Sequence, residues 1–577
     1  MRRSLAVLSA AAVLSAIPVG LARGDEASSC PTAVDADSFA SADELRAGTQ
    51  VMADLGARPT ASPAHTAFVD WVEDRLDAID GLALSDRPVT IDRQLETGAS
   101  LRVGPNRTAL PVAGAVPYAA PGQATAPLLV VPAGTALSAA DIAGRIVVRP
   151  LAATSVAYAV FAAVSWFVWD PDVSLDLTGA YERDWLNAVA RITDLADAEA
   201  GGAAGLVFVH DLPRAQIAGQ YAPYPGRHWK VPAVFVGADE GQVLLGTAST
   251  GASATLRVRA ERAKASTRTL IASLPGQSAE RIVIESHTDG MNAVWDNGPI
   301  ALLAMAEHFA GLPLACRPRT IEFVFTTGHL YLSQSGVHDY AAVLDDAYDD
   351  GTVALVVALE HLGAREWAAA PRTDGGAGRQ LVRTGADEMF AVFVPESPAL
   401  VTTVVNRVVG HDLRRTLVLR GADAPQAGFP PHRSFGGEGG PYRERIVPTI
   451  AAITGPWTLF DPAFDLDELV DPALIRRQTL AFTDIIHDVE HLPRTVIAGA
   501  DTAYRLGRDV SEAADNAVNG LLPPGTTVPD APTTPAIPPL PPAVADPRVA
   551  MVSPAAGGYY CALGGLSTLS AASTPSR

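Results

Sequence analysis

Cysteine is scarce in this chain: Cys30, Cys316 and Cys561 are the only three among 577 residues. That is too few for a disulfide scaffold or a thiolate metal cluster. One bridge can form; Cys30 and Cys561 lie near the two ends and would tie down both tails if joined, although any of three pairings is open. Basic charge is short as well. Against 63 Asp and Glu there are 43 Lys and Arg, a formal net charge of −20. Binding phosphate needs concentrated Lys and Arg, so nucleic acid is excluded as a partner. Long apolar runs are missing too: the two most apolar stretches, Leu5 to Val19 and Val156 to Trp169, are shorter than a bilayer requires. No membrane span is expected. There is also no Gly-x-Ser-x-Gly elbow and no phosphate loop, so neither a serine-hydrolase elbow nor a nucleotide site has residues to stand on.

What is present begins with an export signal. Arg2 and Arg3 precede the apolar run, and Gly20-Leu21-Ala22 supplies a small-residue cleavage site, so residues 1–22 are expected to be removed and the mature protein secreted. Between Asp43 and Leu82 helical spacing occurs twice, broken at Arg58-Pro59 and Ser62-Pro63, which predicts two helices joined by a proline turn. From 116 to 262 the texture changes to short strands separated by Gly, Pro and Asp turns. Beyond it, Leu270 to Leu274, Ile282 to Ile284, Ile321 to Phe325, Val353 to Leu359 and Ile450 to Ile453 are β-rich and nearly continuous, as strands buried on both faces should be. A helical pattern over Ile300 to Leu312 separates two of them. The alternation predicts an α/β fold with a mostly parallel central sheet flanked by helices, and a site at the carboxyl ends of its strands. A helical segment over 496–520 and a proline-rich tail over 521–577 close the chain.

The phrase that carries chemistry is Ile282 to Gly298, "IVIESHTDGMNAVWDNG". It puts His287 and Asp289 at the mouth of a buried strand and Asp296 just before a helix. Imidazole and carboxylate suit zinc, and an acid two residues on can orient the ring. A second zinc-like phrase, "HDVEH" from His487 to His491, has the His-x-x-Glu-His order; its place near the end of the domain favours an exposed helix end over a ligand set. His361 is expected to point away from Glu360 by strand alternation, and His432 lies in a loop. His65, His210 and His338 are read as surface or packing residues.

From "LGARPTASPAHTAFVDWVEDRL" to "DPALIRRQTLAFTDII" the chain resembles the exported zinc aminopeptidases, a family that also includes glutamate carboxypeptidase and glutaminyl cyclase. Within 116–262, the phrases "DIAGRIVVRP", "AEAGGAAGLVFVHD" and "VPAVFVGADEGQVL" resemble the protease-associated domain inserted in some of them. The resemblance implies a zinc-aminopeptidase-like domain made of 23–115 and 263–495, with the protease-associated domain over 116–262 between its parts. It implies further that His287 and Asp296 hold metal, that Asp289 orients the ring, and that Glu360 stands where the family has an Asp ligand. Two adjacent Glu of the family, a base and a ligand of the second zinc, are replaced by His329 and Leu330, and its last His ligand by Gly439, with Glu438 before it. What remains is one potential zinc site of His287, Asp296 and Glu360, with His329 as an altered base. A secreted hydrolase of peptide or amide bonds is the first expectation, and a catalytically inactive binding homologue is the second. Metal analysis of the purified protein is expected to find at most one zinc per chain; two tightly held zincs would contradict this.

Overall fold

The computed structural model describes residues 30–222, 227–331, 335–421 and 434–518. Met1–Pro31 is a unit by itself, and the fold below is that of the unit Thr32–Arg577. The expected signal segment, the tail over 521–577, His432 and Cys561 lie outside the described residues.

Local signals set the first two helices. Ala42–Leu55 is entered through a capping box between Ser41 and Glu44. Pro63–Asp77 starts with proline in its first turn and is capped by Ser62, which accepts from the His65 amide. Their inward residues Leu45, Met52, Phe68 and Val72 join the main core. Two long strands then pair antiparallel along nearly their whole length, Ala83–Val103 with Ser253–Leu274.

The strand Ser253–Leu274 connects the whole sheet, since along its other edge it pairs with Gly122–Val130 at its start and with Arg319–Thr326 at its end. The region read from sequence as an inserted domain contributes parallel strands Gly122–Val130, Ile146–Pro150, Gly205–Val209 and Ala233–Val236. One piece of that region goes elsewhere. Its most apolar stretch ends in the strand Ser165–Trp169, which pairs with Thr416–Leu419 at the opposite end of the same sheet.

At the centre, Ser278–His287 lies between Arg319–Thr326 and Val353–Leu359, parallel to both, and Thr449–Thr454 adds a further parallel strand beyond Val353–Leu359. Alternate residues feed two different cores. Ile282, Ile284, Phe323, Leu355 and Val357 pack with Met305 and Phe309 of the helix Gly298–Ala310 and with Phe482 of Pro472–Val489. Val283, Val324 and Val356 pack on the other face with Val337, Tyr340 and Leu344 of Ser335–Asp349. Both faces being covered explains why these strands read as unbroken apolar runs. Because the strands run the same way, His287, Thr326, Leu359 and Thr454 end at one edge.

Cys30 and Cys316 are both disulfide-bonded. The expectation for His487 to His491 changes. The helix carrying His487 stops at Val489, so His491 lies beyond it and its side chain is 60% exposed, while His487 is buried and faces His308, Nε2 to Nε2, at 2.9 Å. Those two histidines therefore cannot grip one ion from a shared helix face. His65 and His210 are buried packing residues, and burial pushes both rings down to about 4. No helix among the described residues is long and apolar enough to cross a membrane.

Candidate active site

The carboxyl edge of the central strands collects an unusual density of buried ionisable groups. His287, Asp289 and Asp296 have no exposure, Glu360 and Glu438 have 1%, and His329 and His361 have 4% and 3%. Charges buried this deeply require partners, and those partners sort the cluster into three groups.

The first group neutralises Asp296. Arg58, fully buried in the turn between the first two helices, donates to both of its oxygens, Nε at 2.9 Å and Nη2 at 2.5 Å. The rest of the guanidinium is occupied by the carbonyls of Met52, Gly56 and Asn292. Burial raises the Asp296 carboxyl above its usual value and Arg58 offsets that only in part. The bidentate contact with a cation that does not deprotonate in proteins nonetheless keeps the carboxyl ionised. Asp296 thus faces a guanidinium, and it is not brought together with His287 and Glu360 in either of the metal-sized groupings described below.

The second group organises the turn after Arg319–Thr326. The Asp289 carboxylate accepts from the amides of His329 (3.2 Å) and Leu330 (2.8 Å) and from the Thr60 hydroxyl. Burial would raise this carboxyl, but His65, His287 and His329 together hold it below its usual value. Its carboxylate therefore positions the turn bearing His329. The ring of His287 is oriented instead by the main chain: Nδ1 donates to the carbonyl of Asp289 at 2.8 Å. His329 Nδ1 meets Glu438 Oε1 in a short contact, and its ring stacks on that of His287 with centroids 4.0 Å apart. The Thr326 hydroxyl links Glu438 to Glu285, at 3.3 and 2.7 Å. Burial, and then the nearby Glu438, push the Glu285 carboxyl well above the carboxylate range.

The third group surrounds Glu360. Oε1 accepts from the Glu438 amide at 2.9 Å, a contact that requires glycine at 437, where φ is +60° and a Cβ would stand 1.4 Å from that oxygen. Oε2 stands 3.3 Å from His287 Nε2 and 3.2 Å from His361 Nε2. His361 does not point away from Glu360 as strand alternation predicts. The strand ends at Leu359, and His361 adopts the left-handed conformation, φ 56°, which brings consecutive side chains to the same place. Burial alone would depress His287, but the carboxylates of Glu360, Glu438 and Asp289 outweigh it and push the ring up to about 10. Burial likewise opposes ionisation of Glu360, and His361 and His287 hold it well below the usual range. The edge is a strong attractor of positive charge.

Among the described residues, two sets of three side chains lie close enough to hold one ion each: His287 with Glu360 and His361, and His287 with His329 and Glu438. Sequence reading brought out His287, Glu360 and His329 and left Arg58, His361 and Glu438 without a role in the site. The signals were slight: an arginine in a proline turn, a histidine beside an acid at a strand end, and an acid flanked by glycines.

Arg58→Met is expected to destabilise the fold by about 3–5 kcal/mol because it strands the Asp296 charge in the core. In chemical denaturation, adding Asp296→Asn to that background should recover part of the loss. Equal stability of wild type and Arg58→Met would show that the pair holds nothing together.

No protein-family model matches the sequence, and no curated protein does. Solved structures do match. The aminopeptidase from Aneurinibacillus sp. strain AM-1 aligns at 15% identity over 77% of this chain and 93% of its own, with a TM-score of 0.50. A zinc aminopeptidase from Bacillus subtilis aligns at 13% over 78% and 97%, TM-score 0.55. The peptidase M28 precursor from Shewanella amazonensis SB2B aligns at 15% over 78% and 95%, TM-score 0.55. The chain has the α/β fold of these aminopeptidases.

Proposed function

We propose that this chain is a secreted, metal-dependent hydrolase of peptide or amide bonds that uses at most one zinc ion and an imidazole in place of the family's glutamate base. The observation that supports it most is a convergence of buried atoms without hydrogen-bond partners: Nε2 of His287 and Oε2 of Glu360 face each other at the carboxyl edge of an aminopeptidase-like sheet. Ring nitrogen and carboxylate oxygen are donors zinc accepts, so the residues fit such an ion. A zinc ion held there would supply Lewis-acid polarisation of a carbonyl and acidify water.

The chain's own residues would do the rest. Glu438, hydrogen-bonded to Nδ1 of His329, orients that ring as the base of the proposed reaction. Asp289 holds the main chain of His329 and Leu330, which fixes where that ring sits. Leu330, in the place of a family ligand, is wholly buried and turns its carbonyl to the Tyr118 hydroxyl, so it acts in packing alone. Asp296, expected from sequence as a ligand, enters this reading through Arg58, as the anion that anchors the turn between the first two helices to the site.

One observation favours the second reading, a binding or interaction protein that keeps the fold without turnover: the site residues are almost entirely shielded from solvent. Assay of aminoacyl-amide substrates separates the two. The hydrolase reading expects turnover that a chelator abolishes and zinc restores, and a fall in kcat of roughly 10²–10⁴ in His329→Gln. Zinc-loaded protein with no turnover on any such substrate would favour the binding reading.

A further inference from the structure

The family resemblance makes Asp296 a metal ligand, but the structure couples that carboxylate to a buried arginine. We infer that the ion is held by His287, Glu360 and His361, a mononuclear site of two imidazoles and one glutamate in which His361 takes the place of Asp296. This rests on the metal-dependent reading above and adds which side chains carry the ion.

Four observations carry it. His287 Nε2, Glu360 Oε2 and His361 Nε2 are all buried without a hydrogen-bond partner, and all lie within 4.8 Å of one another. An unpaired buried polar atom is costly, and three aimed at one point are the signature of something shared between them. Their spacing fits an ion: tetrahedral ligands at ~2.0–2.1 Å from zinc lie about 3.3 Å apart, against 3.3 and 3.2 Å from Glu360 Oε2 to the two ring nitrogens. Each imidazole also has its other nitrogen tied to a main-chain carbonyl, His287 to Asp289 at 2.8 Å and His361 to Thr454 at 2.6 Å. Those bonds hold both rings with Nε2 turned inward, as outer partners of metal-bound histidines do.

The alternative set is already spent. His329 Nδ1 and Glu438 Oε1 are bonded to each other, and Glu438 Oε2 receives the Thr326 hydroxyl. Asp296 has both oxygens on Arg58. His361 reaches the site only because its backbone is left-handed, a conformation costly for a residue other than glycine or asparagine and one that persists where surrounding contacts impose it. Here those contacts are the Thr454 carbonyl on the ring and the Thr454 hydroxyl on the His361 carbonyl, at 2.7 Å.

Equilibrium zinc titration of the full-length protein, with metal analysis and circular dichroism on each variant, tests the assignment. His361→Asn keeps a residue that tolerates the left-handed backbone, and it should weaken zinc binding at least 100-fold while the fold is retained. His287→Ala should do the same, whereas His487→Ala should bind within about 3-fold of wild type. Unchanged affinity in folded His361→Asn would overturn the inference and take His361 out of the ligand set. Wild-type protein that takes up no zinc would overturn it as well. Zinc bound through His361 without turnover would leave the inference standing and remove only the hydrolase reading.

Discussion

The ion pair between Arg58 and Asp296 holds the site's architecture together. Neither side chain touches solvent, and the pair joins the turn after the first helix to the phrase that follows the central strand. A lone buried carboxylate at Asp296 would have to be protonated or matched by a cation. Arg58 matches it from within the chain, with a planar fork that takes both oxygens, and its remaining donors fasten the carbonyls of Met52, Gly56 and Asn292. The turn between the first two helices is thereby a wall of the site. Its Thr60 hydroxyl reaches Asp289, and His65 reaches Thr288 at 2.9 Å.

With Asp296 internally balanced, the edge of the sheet divides unevenly. On one side Glu285, Glu438, Thr326 and His329 form a hydrogen-bonded network that leaves only Glu285 Oε2 of its carboxylate oxygens without a partner. On the other, Glu360 faces two imidazoles whose inward nitrogens lack partners. The two halves differ in kind. The hydrogen-bonded half is suited to moving or holding a proton, and the open half is suited to a cation. Where the family it resembles has two zincs, this edge has one open donor set beside one hydrogen-bond network.

Much of this was legible from residue order, for identifiable reasons. Strands buried on both faces give unbroken apolar runs, so Ile321 to Phe325 and Val353 to Leu359 could be located within a few residues, and parallel strands put His287 and Glu360 at one edge. The proline turn at Arg58-Pro59 marked the end of a helix, but nothing local says that an arginine there travels to the core; that depends on a partner 238 positions away. His361 was misplaced because strand alternation was carried one residue past the end of the strand, where a positive φ reverses it. Glu438 was passed over because its neighbours are glycines, although Gly437 is the residue whose missing side chain lets Glu360 into the site. The strand Ser165–Trp169 joining the far edge of the sheet was equally invisible, since its partner Thr416–Leu419 lies far along the chain. Local pattern locates elements; which side chains meet is decided by long-range pairing.

The central claim is that one sheet edge presents two imidazoles and a glutamate to a single ion. The most direct test is crystallography of zinc-soaked protein with anomalous scattering recorded at the zinc edge. The account predicts one anomalous peak per chain, ~2.0–2.2 Å from His287 Nε2, Glu360 Oε2 and His361 Nε2, with Arg58 still on Asp296. A peak bound by Asp296 with Arg58 displaced, or two peaks at this edge, would contradict it.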